Sequence, residues 1–276
     1  MKRIIILMLI FFNISIYSQT EAWILKQKMD WNDYPEQISN TKKKHIIDSL
    51  VVNSDFSELS KESFKYSSFH FVDINMDSQP DIIYFGFAGS ESDRTIIYVN
   101  KKGKYIQIAD YFGYVFNLQF TNGLLNNLFI GNYSCCAGYI THYEKYKFYV
   151  DNSSFILKEK IATCEGTSFP AFKTMSKRFT TVKNKYRLRS EPIIDNTEYG
   201  INYRPFEALG NILGEFKKNS EGIAIAESMD TTGRVWWFVI MKDSNQPDNS
   251  IFYRGSNNQL PYKFAGWMSS RYLNEK

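Results

Sequence analysis

The chain has 276 residues, 43% hydrophobic, 17% aromatic and 22% charged, with a formal net charge of +4. This balance describes one large or two small folded domains and excludes an intrinsically disordered chain. The cationic runs Lys42-Lys43-Lys44, Lys101-Lys102 and Lys217-Lys218 are scattered and interrupted by acids, which reads as solvated surface charge and excludes a continuous nucleic-acid footprint.

Lys2 and Arg3 precede an unbroken apolar run from Ile4 to Phe12, and the stretch closes on Ser18 and Gln19. A charged start, a short apolar centre and a small-residue exit are the pattern of a secretory signal, assigned to residues 1–18. The run is too short to span a bilayer comfortably. No cysteine stands near the exit, so a lipid anchor is not indicated. The expectation is an exported chain without a transmembrane anchor, periplasmic, extracellular or held at the cell surface.

Within a first domain assigned to residues 19–165, Asn40 and Thr41 start a helix with Ile46, Ile47, Leu50 and Val51 at helical spacing. A second short helix is expected from Ser54 or Asp55, placing Phe56 and Leu59 on one side. From Phe64 the period changes to that of strands. Phe69–Val72, Ile82–Phe85, Thr95–Val99, Tyr105–Ile108 and Tyr146–Val150 are short β-branched and aromatic runs parted by Asn, Asp, Gly and Lys turns, the signature of an antiparallel sheet.

Between the first two runs lies Asp73-Ile74-Asn75-Met76-Asp77-Ser78-Gln79-Pro80-Asp81. Oxygen-bearing side chains at alternate positions, with the Gln79 carbonyl between them, suit Ca²⁺, a hard cation that takes six to eight oxygens. An EF-hand is excluded, because Tyr84 stands where its glutamate belongs and no helices flank the loop. The stretch resembles the strand-loop-strand calcium loop of FG-GAP repeats, down to the Pro80-Asp81-Ile82-Ile83 exit. That resemblance implies Asp73, Asn75, Asp77, Gln79 and Asp81 as ligands of a structural Ca²⁺. Ser78 departs from the glycine usual there, and Asn75 lowers the anionic charge. The competing reading is an Asx-rich turn without metal.

Cys135, Cys136 and Cys164 are three thiols in a chain read as exported, which allows one disulfide with one thiol left over. Pairing of Cys164 with either neighbour is favoured over a vicinal bond, and spacing does not choose between them. Residues 166–179, with Gly, Ser, Thr, Pro170 and little periodicity, are assigned as a linker.

Four blocks follow in order: Lys185-Tyr186-Arg187-Leu188-Arg189-Ser190-Glu191-Pro192, Ile212-Leu213-Gly214-Glu215-Phe216-Lys217-Lys218-Asn219-Ser220, Thr232-Gly233-Arg234-Val235-Trp236-Trp237-Phe238-Val239, and Gly266-Trp267-Met268-Ser269-Ser270-Arg271-Tyr272-Leu273. Together they resemble the bacterial SH3-like (SH3b) domain over roughly residues 180–273. The resemblance implies a small β-barrel at 180–276 whose last block makes a helical turn before a closing strand. It implies an inward Trp237 and a core Val239, and a binding groove formed by Trp236 with Tyr199 and Tyr203 of the long first loop. The polar insertion 243–263 is expected to fold over this barrel.

The fold expected is therefore mainly β: an antiparallel β domain with a short helical cover, then an SH3-like barrel. The function implied by resemblance and export is non-catalytic recognition of a cell-envelope component, a peptidoglycan peptide or an envelope protein. Two alternatives stand beside it. One is a cell-wall hydrolase using Cys135 or Cys136 with His142, although no helix N-terminus follows the thiols to activate them. The other is a structural or protein-interaction factor whose barrel only buttresses the first domain.

Overall fold

The structure is a computed structural model that describes residues 22–26, 29–34, 36–53, 65–87, 93–133, 140–197, 210–242, 244–245, 247–248, 250–251 and 262–276. The signal assigned to residues 1–18, the second helix expected from Ser54, Cys135, Cys136, Tyr199 and Tyr203 all lie outside these. The described chain is mainly β, with antiparallel sheets and one α-helix. It divides into two compact units, one of Gln27–Lys160 and one joining Ile161–Lys276 to the described residues up to Lys26. No helix among the described residues is long and apolar enough to cross a membrane.

In the Gln27–Lys160 unit, helix α1 (Asn40–Asn53) precedes β1 (Phe69–Val72), β2 (Asp81–Phe87), β3 (Asp93–Lys101) and β4 (Lys104–Phe112), which form one sheet in that order. Strands β5 (Tyr114–Thr121), β6 (Leu124–Tyr133), β7 (Ile140–Tyr149) and β8 (Ser154–Cys164) follow, again each beside the next, with β8 running past the unit boundary. Alternation along β2 and β3 gives the first sheet two apolar faces. On one face Phe69, Phe71, Ile82, Tyr84, Ile96 and Tyr98 lie under Ile46, Ile47, Leu50 and Val51 of α1, which is the helical cover expected. On the other, Ile83, Ile97 and Val99 meet Val115, Leu118, Leu128 and Ile130 of β5 and β6. Burying an aliphatic or aromatic side chain of this kind contributes about 1.5–3 kcal/mol, so the two cores hold the sheet from both sides.

The sequence reading does not single out β5 and β6. Their hairpin turns at Asn122-Gly123, with φ of 51° and 84°, the left-handed pair that a two-residue type I′ connection needs. The chain passes from β4 to β5 through Gly113 at φ 113°, where a Cβ would stand 2.4 Å from the Gly131 carbonyl oxygen. Only glycine fits that approach.

In the other unit, β9 (Lys177–Thr181), β10 (Tyr186–Arg189), β11 (Ile212–Phe216), β12 (Glu221–Met229), β13 (Val235–Met241), β14 (Lys263–Ser269) and β15 (Leu273–Glu275) pair in the order β15-β9-β12-β13-β14, with β10 joined to β14 and β11. A 3-10 turn at Ser270–Tyr272 separates β14 from β15. Lys263 and Phe264 of β14 also run parallel to Ile161 and Ala162 at the end of β8. The pairings of the described residues do not close into a barrel.

The segment assigned as a linker is bound into this unit. The Ser168 N–H donates to the Ser190 carbonyl, and the Thr174 N–H to the Ile225 carbonyl. The Trp267 indole donates to the Ser168 carbonyl at 2.6 Å, and β9 begins at Lys177. Irregular composition removed the periodic signal, while backbone hydrogen bonds to other elements hold the stretch in place. The insertion is likewise tied down in its described part: Asp248 and Ile251 donate from their backbone N–H groups to Glu215 and Leu213, so it lies along β11.

Candidate binding site

The loop 73–81 joins β1 to β2 and is held from within. Asp73 accepts the N–H groups of Asn75 and Met76 on Oδ1 and of Ser78 on Oδ2, at 3.2, 2.7 and 2.9 Å. Asn75 Oδ1 accepts the Asp77 N–H, Asp77 Oδ1 accepts the Gln79 N–H, and the Asn75 side-chain amide donates to Asp77 Oδ2 at 3.1 Å. Asp81 is fully buried and accepts the Ile74 N–H at 3.0 Å and the Asn100 N–H at 2.8 Å, clasping the loop to β3. Burial pushes this carboxyl up to about 7, against the pull of those two N–H groups. Ile74 plugs the core beneath. Ser78 adopts φ 62° and Met76 φ 64°, so Ser78 makes the left-handed turn for which the resembling loops use glycine.

The structure thus brings Asp73, Asn75, Asp77, Gln79 and Asp81 together. Their oxygens are the right type for Ca²⁺, and a carboxylate oxygen that accepts one N–H keeps a second lone pair. Each carboxylate oxygen accepts an N–H, the one on Asp77 Oδ2 coming from the Asn75 side-chain amide. Among the described residues no group of three or more His, Cys, Asp or Glu side chains is placed to hold a metal.

Trp236, expected to line a groove, is 1% exposed. Strand β13 is central, between β12 and β14, and both of its faces are covered. Trp236 is locked by its indole N–H, which donates to Asp230 Oδ2 at 2.9 Å. Asp230 also accepts the Thr232 hydroxyl and the N–H groups of Thr232 and Arg234, and these donors hold its carboxyl well below the usual range. The two residues organise the β12–β13 turn. Trp237 packs edge-on against Phe179 on the opposite face.

The first loop has its own anchor. Arg189, 5% exposed, donates to the Asp195 carbonyl and to Asn211 Oδ1, both at 2.7 Å, and to Asn196 Oδ1 at 2.9 Å. Burial lowers it to about 10, and it stays charged at neutral pH.

His142, the base in the hydrolase alternative, lies on β7 two residues from Glu144. Glu144 accepts the Tyr146 hydroxyl at 2.6 Å and pairs with Lys160 at 2.7 Å. Burial, then Lys160, lowers the His142 imidazole to about 4, so it is neutral at pH 7. Cys164 is buried, its sulfur 3.1 Å from the Glu165 carbonyl oxygen.

At the 3-10 turn the fold assembles a group that the sequence reading did not connect. The Tyr272 ring lies edge-on to Tyr186 with centroids 5.9 Å apart. Tyr186 is fixed by its hydroxyl, which donates to the Ser269 carbonyl. The Lys183 ammonium sits 3.5 Å from the Tyr272 ring centroid, and the Arg271 guanidinium 5.5 Å. Arg234 lies 6.0 Å from the Trp236 ring. Lys183, then Arg271, hold the Tyr272 phenol below its ordinary value, with a smaller pull from Arg234. Two partly buried rings with Lys183 and Arg271 against one of them, and Arg234 against Trp236, make an amphipathic surface. The cations come from three separate segments, so no run in the sequence announces them.

Compared with known family models, curated proteins and solved structures, the chain matches none.

Proposed function

We propose that this chain is an exported, non-catalytic binding protein whose C-terminal unit is an SH3-like module recognising a cell-envelope component, a peptidoglycan peptide or an envelope protein. The observation that carries the reading is the surface at the 3-10 turn, where Tyr186 and Tyr272 pack edge-on and Lys183 and Arg271 lie against the Tyr272 ring. The 3-10 turn placed between β14 and β15, and the sequential pairing of β12, β13 and β14, support the SH3-like part of the reading. In this reading the ligand meets Tyr272 and Tyr186, because Trp236 is enclosed. Flat rings supply contact area with few rotors to freeze.

The test is co-sedimentation of the full chain with purified peptidoglycan sacculi, beside Tyr272→Ala. Pelleting of the wild type that the substitution abolishes is the expected result. Failure of the wild type to pellet rejects the wall-peptide form of the reading and directs the search to envelope proteins. Catalytic release of soluble muropeptides into the supernatant would reject the non-catalytic assignment.

A further inference from the structure

We propose that the end of the C-terminal unit formed by the turns 181–186, 216–220 and 270–272 docks onto an anionic membrane surface, with Lys183, Lys185, Lys218 and Arg271 meeting the lipid headgroups. This goes beyond the recognition proposed above and shares with it only the export of the chain. The fold sets the three turns side by side. The Val182 N–H donates to the Tyr272 carbonyl at 3.1 Å, and the Asn219 N–H to the Thr181 carbonyl at 2.8 Å. The Lys218 N–H donates to Asn184 Oδ1 at 2.9 Å, and the Thr181 hydroxyl to the Lys217 carbonyl at 2.6 Å. Lys183 and Arg271 meet on one ring, 3.5 and 5.5 Å from the Tyr272 centroid.

These turns hold Lys183, Lys185, Lys217, Lys218 and Arg271 and no acid. Lys217 pairs with Asp248 at 3.1 Å. Among the described residues the other four form no ion pair, and all four are exposed. Glu221, which follows the second turn, already faces two lysines, Lys242 and Lys276. Arg178, exposed and likewise without an ion pair, stands on β9, the strand that leads into the first turn, and extends the positive field. Lys185 adopts φ 53°, a left-handed conformation that disfavours any side chain and that glycine or asparagine takes more easily. No hydrogen bond or ion pair of its side chain within the described structure accounts for a lysine there.

Positive charge by itself suits any polyanion, and Tyr272 favours the membrane among them. A partly buried phenol with an ammonium and a guanidinium against its ring is the combination that settles at headgroup level, the ring at the acyl boundary and the cations among the phosphates. The exposed large apolar side chains of this unit, Phe172, Ile193, Ile194 and Met229, lie off these turns, so the contact is electrostatic and peripheral rather than inserted. Each cation held near an anionic leaflet tightens binding about fivefold. Several acting together replace a pocket.

The experiment measures co-sedimentation of the processed chain, residues 19–276 recovered after export, with vesicles of phosphatidylcholine and with vesicles of equimolar phosphatidylcholine and phosphatidylglycerol. Inorganic polyphosphate is added as a soluble competitor. Pelleting with the phosphatidylglycerol vesicles alone is expected, and raised salt should erase it. Lys183→Gln, Lys185→Gln and Lys218→Gln should each weaken it about fivefold, and the three together about a hundredfold. Arginine at the same three positions keeps the charge and should retain binding, which separates lost charge from a failure to fold. Lys101→Gln, at an exposed lysine of the other unit, should leave binding unchanged. Equal pelleting with both vesicles, pelleting with neither, or an equal loss in Lys101→Gln would overturn the proposal. Complete displacement by polyphosphate at equal phosphate would overturn it in favour of a soluble polymer. Sacculi separate the two claims: pelleting with sacculi but not with phosphatidylglycerol vesicles rejects membrane docking and leaves the wall reading standing, and the converse rejects the wall reading alone.

Discussion

The loop 73–81 and the surface around Tyr272 are both charged clusters, and they differ in where their charge is spent. In the loop every carboxylate oxygen of Asp73, Asp77 and Asp81 accepts an N–H from the protein itself. At Tyr272 the Lys183 ammonium and the Arg271 guanidinium meet one ring, with no ion pair to an acid among the described residues. The acids of the first cluster hold a turn through backbone N–H groups; in the second, the Lys183 ammonium and the Arg271 guanidinium lie against the Tyr272 ring. Charge density in the sequence is therefore a poor guide to a site, because the acids are adjacent in sequence and the cations are not.

If that contrast is right, substitutions in the two regions should separate stability from binding. Asp81→Ala leaves the buried N–H groups of Ile74 and Asn100 without acceptors, and should cost about 3 kcal/mol in urea unfolding with peptide binding unchanged. A loss below about 0.5 kcal/mol would mean that the loop does not depend on its own hydrogen bonds.

The response to acid comes next. His70 is stacked on Trp31 at 3.5 Å, and burial, then Lys43, holds its imidazole at about 4; His142 is also at about 4. Both lie below the ordinary histidine value of 6.5, so the unfolded chain takes up protons that the folded chain refuses, and stability falls from pH 6.5 down through 4. Asp81 acts in the opposite sense. Its folded value of about 7 lies above the ordinary 3.8, so the folded chain holds a proton that the unfolded chain releases, and stability gains as pH falls from 7 to 3.8. Two histidines against one aspartate leave a net acid loss over the shared window. Urea midpoints at pH 7.5, 6 and 4.5 should show it, and Asp81→Ala should steepen it; a shallower slope in that variant would contradict the assignment.

Ser78→Gly should be a smaller change of opposite sign. A non-glycine residue at φ 62° carries about 1 kcal/mol of strain, and glycine gives back part of that as chain entropy. A net gain of about 0.5 kcal/mol is expected from thermal unfolding. Lys183→Gln and Arg271→Gln should change stability least, within about 0.5 kcal/mol, because both side chains are exposed and their contacts are cation–π contacts at the surface with the Tyr272 ring. A large stability loss there would show that these cations serve the fold.

The local patterns were open to reading before any tertiary structure. Helical spacing placed Ile46, Ile47, Leu50 and Val51 on one face of α1, and β-branched runs located β1 to β4 and β7, because such periodicities record which side of an element is buried. The β5–β6 hairpin was also within reach of its Asn122-Gly123 signal. The alternate acids of the loop were legible as a turn, since Asx side chains act on backbone two or three residues away. The burial of both faces of β13 was not, because coverage of Trp236 depends on strands far along the chain. Nor was the role of residues 166–179, whose order comes from hydrogen bonds to Ser190, Ile225 and Trp267.

Sequence by itself thus determined helix α1, strands β1 to β4 and β7 with their sided patterns, and the alternate-acid turn, all set by interactions within a few residues. Tertiary structure alone decided which charges are neutralised and which rings are enclosed. Lys183 and Arg271 lie about ninety residues apart, and only the pairing of β9 with β15 and the Val182 N–H bond to the Tyr272 carbonyl bring Lys183 over the Tyr272 ring. Electrostatic interaction depends on distance in space, and strand pairing sets that distance.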